Sequence, residues 1–273
     1  MSTIDPKKFR EFEHAGWQAI PSQYHQAFGS LTRQAIEPLL DAVAAGKGTK
    51  LLDLASGPGY VSAAAAKRGA SVVGVDFSAA MVAEARRLYP SIEFREGDAE
   101  ELPFSDGLFD AVVMNFGILH LGRPEQALAE ALRVLRSGGR VAFTVWANPE
   151  DAVGFKIVLR AIEAHGELNV RLPPGPAFFR FSEPAESVRS LLAAGFESPK
   201  VIQVPQVWRL PAGDGVFDAM RESTVRTAGL LRAQEPQALE KIRNYIRKET
   251  QRYTKRDIVE LPMPAILASA TKP

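Results

Sequence analysis

The chain has 273 residues, 46% of them apolar and 24% charged, with a formal net charge of +1. That length suits one large α/β domain, and the near-neutral balance gives no global reason to expect nucleic acid or an anionic membrane as partner. There is no cysteine, which excludes disulfides, thiolate nucleophiles, iron–sulfur clusters and cysteine-ligated zinc, and fits a reducing compartment.

The N-terminal "MSTIDPKKFREFEHAGWQAI" lacks the apolar run of a secretory signal. No window approaches the roughly 20 apolar residues of a membrane-spanning helix, so a cytoplasmic protein is expected. "LTRQAIEPLLDAVAA" (31–45) has helical spacing and an expected stop at Gly46 and Gly48. "KLLDLA" (50–55), too short for a helix, reads as a buried strand. The alanine-rich "GYVSAAAAKRG" (59–69) reads as a helix ending at Gly69. "SVVGVD" (71–76) is a strand ending in Asp76, and "SAAMVAEARRLYP" is a helix from a Ser78 cap to Pro90.

The alternation continues through a short strand in "IEFREGDA", a strand in "FDAVVMNFG" ending near Asn115, a helix in "PEQALAEALRVLRSGG" with a Gly-Gly stop, and a strand in "RVAFTVWA". Such alternation predicts a parallel sheet with helices on both faces. Residues 149–181, rich in proline and aromatics, suit a cover over a site. "SEPAESVRSLLAAGF" reads as a helix, "KVIQVPQVWRL" as a strand with an edge or bulge at Pro205, 214–256 as helical, and "MPAILASATK" as the last strand.

The stretch "LLDLASGPG" (51–59) sets a carboxylate at a strand end before a loop nearly free of side chains. A phosphate-binding P-loop would need a lysine that this loop lacks. A dinucleotide fingerprint, G-x-G-x-x-G, finds Gly57 and Gly59 but has Ser62 in the third glycine's place, with Asp76 at a suitable distance. That weakens the dinucleotide reading without removing it. Three acids, Asp53, Asp76 and Asp98, each fall where a strand delivers its C-terminal end. They suit a ligand that carries an ammonium group, a ribose diol and an adenine but no phosphate, which is S-adenosylmethionine.

On "LLDLASGPG", "VVGVDFSAAM", "GDAEELPF", "FDAVVMNFGILHL" and "VLRSGGRVAFTVW", in that order, the sequence resembles the class I S-adenosylmethionine-dependent methyltransferases, and within them the small-molecule branch that includes the quinone-biosynthesis C-methyltransferases. The resemblance is strongest over 48–147. It implies a Rossmann-like, doubly wound seven-stranded sheet, mostly parallel with a C-terminal antiparallel strand, in a single domain (1–273). It further implies N-terminal helices (1–45) over the cofactor and insertions at 149–181 and 212–258 forming a substrate cap. In the glycine motif, Ala55 stands where the family has its first glycine, followed by Gly57 and Gly59. Asp76 is implied on the ribose hydroxyls, Phe77 and Met81 against the adenine, Asp98, Ala99 and Glu100 at the adenine edge, and Asn115 and Phe116 beside the methionine moiety. Asp53 belongs near the amino-acid end, and Tyr24, with Trp17, on the helix over the cofactor.

The expected reaction moves a methyl group from S-adenosylmethionine to a small-molecule oxygen, carbon or nitrogen, releasing S-adenosylhomocysteine. His120, five residues beyond Asn115, is the candidate base; the competing account is packing or capping of the following helix. His14, His25 and His165 show no metal-ligand spacing, so no metal is expected. The basic "KIRNYIRKETQRYTKR" (241–256) has apolar residues at helical spacing, so a solvated basic face is preferred to a nucleic-acid surface. Two other classes stay open: an oxidoreductase on a dinucleotide fold, and a non-catalytic regulator that binds the cofactor. The acceptor and the oligomeric state are not readable from the sequence.

Overall fold

The computed structural model describes residues 5–273; Met1–Ile4, which open the segment screened for a signal and the expected 1–45 helical region, lie outside the described residues. Helices α1 (Pro6–Ala19), α2 (Pro21–Ala27), α3 (Gly29–Thr32) and α4 (Ile36–Ala42) lead into strand β1 (Lys50–Leu54). Helix α5 (Tyr60–Lys67), β2 (Ser71–Asp76), α6 (Ala79–Leu88), β3 (Glu93–Glu96), β4 (Phe109–Asn115), α7 (Pro124–Val134) and β5 (Leu135–Trp146) complete the alternating half. Then come α8 (Val153–His165), α9 (Pro184–Ala193), β6 (Glu197–Val204), β7 (Val207–Pro211), α10 (Gly215–Glu222), α11 (Arg226–Arg232), α12 (Pro236–Thr250), β8 (Thr254–Lys255), β9 (Ile258–Pro262) and β10 (Ala265–Thr271).

The main sheet has seven strands in the order β3-β2-β1-β4-β5-β10-β6. Neighbours from β3 to β5 pair parallel, and β10 runs antiparallel to both β5 and β6. This is the doubly wound sheet implied by the motifs, with its antiparallel strand at the C-terminus. Leu51, Leu52, Asp53 and Leu54 of β1 are all buried, as expected for a central strand covered on both faces. After β3 the chain returns to the other side of β1. The gap between the C-terminal ends of β1 and β4 is therefore the topological switch point, the place where open α/β sheets bind ligands.

Local chemistry explains most element ends. Asp5 caps α1 by accepting from the Lys7 and Lys8 N–H groups, with Pro6 at the first helical position. Ser78 Oγ caps α6 by accepting from Met81 N. Gly59 enters α5 at φ 82°, and a Cβ there would come within 2.6 Å of the Phe94 ring.

Four sequence expectations need revision. The 31–45 helix is broken by a 3₁₀ turn at Arg33–Ala35 and stops at Ala42; Ala44, not a glycine, takes the left-handed turn at φ 52°. Helix α7 stops at Val134, and Gly138-Gly139 lie inside β5, where its register against β4 shifts. The chain there is a bulged strand rather than a helix terminus. "KVIQVPQVWRL" is not one strand: it leaves the main sheet at Pro205, because proline has no N–H for the ladder. Its second half, β7, joins β9 and β8 in a separate three-stranded antiparallel sheet. That sheet also takes the end of the expected helical section, turning at Arg256 and Asp257 with φ 48° and 59°. Neither residue is the glycine or asparagine that signals such a turn.

The small sheet is tied to the N-terminal helices rather than left as an appendage. Trp208 on β7 is fully buried, its ring 4.7 Å from that of Phe28, and its indole N–H donates to Ala27 O at 2.8 Å. In α12, Ile242 and Ile246 face the core while Arg243 and Arg247 pair outside with Asp214. The basic stretch is thus an apolar stripe with a charged outer face. No helix among the described residues is long and apolar enough to cross a membrane.

Candidate active site

A cavity of about 930 Å³ opens at the C-terminal ends of β1, β2 and β4. The glycine loop forms its floor through Ala55, Ser56, Gly57 and Pro58. Ala55 sits at φ 51°, a left-handed conformation that costs a residue with a Cβ about 1–2 kcal/mol. Its methyl lies where a Cβ on Gly117 would approach to 2.5 Å, so alanine is accommodated here by a glycine opposite. Gly57 is also left-handed, at φ 51°, and a Cβ added to it would meet nothing within 4 Å. Gly59 is not part of the cavity wall; its lack of a side chain serves packing against Phe94.

The acids do more than face the cavity. Asp76 Oδ2 accepts from Gly57 N at 2.8 Å and Oδ1 from Ser78 N at 2.9 Å, so one carboxylate ties the glycine loop to the start of α6. Asp53 Oδ2 accepts from the N–H and hydroxyl of Ser62, at 3.0 and 2.6 Å. Ser62, at the position of the missing third glycine, therefore brings a carboxylate to the first turn of α5. Burial raises Asp53 to about 7 against the Ser62 hydrogen bonds, and Asp76 to about 6 against the Ser78 and Gly57 N–H groups. Two buried atoms beside the cavity, Asp53 Oδ1 and Ser56 Oγ, have no partner among the described residues. Buried polar atoms are normally paired, and a ligand with donor groups would satisfy both.

At the far end Asp98 Oδ1 holds Glu100 N, while Oδ2 pairs with Arg10 at 2.9 Å. The Glu100 carboxylate is turned to Arg123, accepting from its backbone N–H and guanidinium, so Glu100 contributes to the wall without an available carboxylate. Phe77, Met81 and Ala99 line the same end. Helix α1 crosses above it: Gln18 Oε1 accepts from Ser78 Oγ and Ala80 N, and His14 packs edge-on against Phe77.

Asn115 spends its side chain internally, donating to Thr32 O and accepting from Thr144 Oγ1. Phe116 follows at φ 56°, a rare conformation for a bulky residue, with its ring 4.0 Å from Trp146 and its N–H on Thr144. His120 Nδ1 lies 2.9 Å from Glu13 Oε2, and the same oxygen accepts from Trp17 Nε1 at 3.0 Å. Glu13 is fully buried. With the carboxylate as acceptor, the imidazole carries its proton on Nδ1 and leaves Nε2 as its acceptor. His120 does not cap α7, which has no side-chain cap.

A second cavity, about 430 Å³, adjoins the first. The two share Trp17, Tyr24, Phe116 and His120 as a common wall. Tyr24 donates to Thr32 Oγ1, stacks on Phe28 and is pushed up to about 12 by burial. Beyond that wall the second cavity is lined by Phe28, Trp146, Phe155 and Phe178, and by the segment Ser223–Thr227.

The structure thus gathers around one cavity every residue expected to contact the cofactor except Gly59, with His120 on its boundary. Sequence reasoning did not find Glu13, Arg10, Gln18, Thr32 or Arg226. They come from helices outside the motifs, and only Glu13 carried a local signal, four residues before Trp17 on a helical face.

Comparison with known proteins gives a consistent picture. The Methyltransferase domain family matches residues 52–143. A demethylmenaquinone methyltransferase of Renibacterium salmoninarum is 42% identical over 163 residues, 58% of this chain and 67% of the relative. Another, of Beutenbergia cavernae, is 46% identical over 110 residues, 40% of this chain and 46% of the relative. With most such relatives the match spans about half of the relative's length. Among solved structures, a Haemonchus contortus N-methyltransferase in complex with phosphomonomethylethanolamine and S-adenosylhomocysteine superposes with a TM-score of 0.60 at 18% identity, over 97% of this chain and 60% of that one. That last likeness concerns the fold.

Proposed function

Because the chain belongs to the class I S-adenosylmethionine-dependent methyltransferases, we propose that it transfers a methyl group to a small, ring-containing acceptor held in the second cavity. The observation that carries this reading is the shared wall. One cavity has the glycine loop and three carboxylates, the other is mostly aromatic, and Tyr24, Phe116 and His120 stand between them. Membership of this family sets the dinucleotide oxidoreductase aside.

In this reading Asp76 accepts the ribose hydroxyls while it holds the loop. Asp98, with the Ala99 backbone, Phe77 and Met81, takes the adenine. Asp53 Oδ1 and Ser56 Oγ, the two orphaned atoms, serve the amino-acid end with the Gly57 backbone. Asn115 and Phe116 border the methionine moiety through their backbone, since the Asn115 side chain is already engaged. Helix α1 closes over the cofactor, and the insertions at 149–181 and 212–258 cap the acceptor.

Bound S-adenosylmethionine supplies a methyl on a positively charged sulfur, which departs as neutral S-adenosylhomocysteine when the acceptor's electron pair forms the new bond. The protein's part is to hold the acceptor in line and keep water out. His120 Nε2 takes the proton of an acidic hydroxyl or carbon acid, and Glu13 fixes the tautomer through Nδ1. The demethylmenaquinone methyltransferases act, by their name, on a quinone-type ring, and an aromatic cavity suits such a ring by stacking.

Calorimetric titration with S-adenosylhomocysteine, followed by transfer of labelled methyl to a panel of phenols and hydroquinones, tests the proposal. Micromolar binding with methylated ring products is expected. Absence of binding refutes the cofactor site, and binding without transfer to any ring leaves a regulator.

A further inference from the structure

The second cavity carries one feature that an aromatic acceptor alone does not explain. Arg226 lines it, held with its guanidinium 5.2 Å from the Phe9 ring centroid and 5.3 Å from that of Phe178. A guanidinium has five N–H donors, and among the described residues one hydrogen bond is made, from Nη1 to Pro176 O at 2.9 Å. No carboxylate of the described residues lies within ion-pair distance. Glu13 attracts Arg226 at longer range without bonding to it: its Oε2 is engaged by Trp17 and His120, and its Oε1 is enclosed with no partner among the described residues. Burial accordingly pulls the guanidinium below its ordinary value.

Arg226 is half-buried. A partly desolvated cation is favoured by a paired, hydrogen-bonding anion, and its remaining donors, which are not sealed off, belong to a side chain in the wall of the cavity. The two flanking rings fix the plane of the fork, which removes much of the entropy that a free arginine would lose on binding. The neighbouring Ser223 and Thr227 add hydroxyls with no side-chain hydrogen bond among the described residues, so polar groups gather around Arg226 at the side of the cavity formed by 223–227.

We propose that Arg226 is the anion-recognition residue of this cavity, and that the methyl acceptor is a hydroxylated aromatic or enolic ring carrying a carboxylate. The carboxylate pairs with the guanidinium fork, the ring lies among Phe28, Trp146 and Phe178, and the hydroxyl or activated ring carbon faces the His120 wall. The inference rests on the second cavity being the acceptor site. It deepens that reading by naming the acceptor's charge.

The test uses the full-length protein loaded with S-adenosylhomocysteine. Mono- and bicyclic hydroxy-carboxylic acids, starting with 4-hydroxybenzoate, are titrated beside their uncharged amides. At least one acid is expected to bind at least tenfold more tightly than its amide. That preference should vanish in Arg226→Gln, survive in part in Arg226→Lys, and leave S-adenosylhomocysteine affinity unchanged in both. No preference for any acid over its amide in the wild-type protein would overturn the proposal, as would an undiminished preference in Arg226→Gln. The wild-type comparison does not depend on the variants folding. If S-adenosylhomocysteine itself fails to bind, the methyltransferase reading has failed; if it binds and the acids show no advantage, only the charge assignment has.

Discussion

The glycine-loop cavity and the aromatic cavity beside it share four side chains yet are built in opposite ways. The first rests on backbone: a loop with Ala55, Gly57 and Gly59 at positive φ, fixed by Asp76 and Asp53 to the two helices that follow the strands. Most of its parts lie at the ends of neighbouring parallel strands, so short motifs within 51–122 define it apart from the cover of Arg10, Trp17, Tyr24 and Thr32. The second rests on side chains from segments far apart in sequence: Phe28 from the N-terminal helices, Trp146 from the end of β5, and Phe178 and Arg226 from the two insertions. A site made of backbone at a switch point tolerates little change, whereas side chains contributed by separate segments can be exchanged one at a time with less disturbance to the sheet.

Substitutions can break the comparison at either cavity. The largest expected effect belongs to Gly57→Val. A branched side chain at φ 51° is strained, and its Cβ projects into open space where the ligand must lie. Calorimetry should show no measurable S-adenosylmethionine binding by a variant whose circular dichroism stays native. Normal binding would place the cofactor elsewhere.

His120→Ala addresses the shared wall. Turnover should fall by about 10²–10⁴-fold, the usual worth of a positioned base, with cofactor affinity nearly intact. The wild-type rate should fall on the acid side, because a protonated imidazole accepts no proton, and that limb should be missing from the variant. Glu13→Gln keeps the size of the buried group but removes its charge, and it should reproduce part of the kcat loss with little change in KM. Near-wild-type turnover of His120→Ala would leave the ring as packing for Trp17 and Phe178.

Asp76→Ala comes next, with an expected loss of about 1.5–3 kcal/mol in S-adenosylmethionine binding, the range for hydrogen bonds to a charged group. Because Asp76 also holds Gly57 N and Ser78 N, its removal loosens the loop as well. Asp76→Asn, which retains an acceptor, should lose less. Equal affinity for wild type and Asp76→Ala would remove the ribose assignment.

The alternating half of the fold is legible because the central strands β1, β2 and β4 are short and largely buried and end in a turn or an acid, and the glycine loop follows directly on the first. What escaped the sequence has physical reasons. Gly138-Gly139 resembles a helix stop but relaxes a bulge against Asp110 O. The β8–β9 hairpin turns on Arg256 and Asp257; aspartate tolerates the left-handed region, but arginine before it gives no turn signal and no glycine follows. Pro205 reads as an edge or bulge within one strand, and only tertiary pairing reveals that the chain crosses there to another sheet. At the site, Asp53, Asp76 and Asp98 were readable from strand ends. Glu13 and Arg226 matter only because α1 crosses the end of the cavity and Arg226 of α11 meets its Phe9, and no local pattern encodes that meeting.

The smallest expected effect concerns pH and separates the cavities by their charge. Asp53 and Asp76 are raised by burial to about 7 and about 6, whereas free aspartates titrate near 3.9. Between about pH 4 and 7 the folded, ligand-free protein therefore binds more protons than the unfolded chain. Its stability contribution from these two groups is present below that window and declines as pH rises through it. S-adenosylmethionine prefers the ionised forms, because an ammonium and ribose hydroxyls donate to carboxylates. Binding should release protons and tighten several-fold from pH 5.5 to 7.5. Calorimetry in two buffers of different ionisation enthalpy measures that release directly. In Asp76→Asn the release should diminish but persist, since Asp53 remains. If binding is pH-independent in the wild type, the two carboxylates are already ionised in the empty site. In that case the carboxylates meet the ligand with no change of protonation, and burial does not hold them neutral in the empty site.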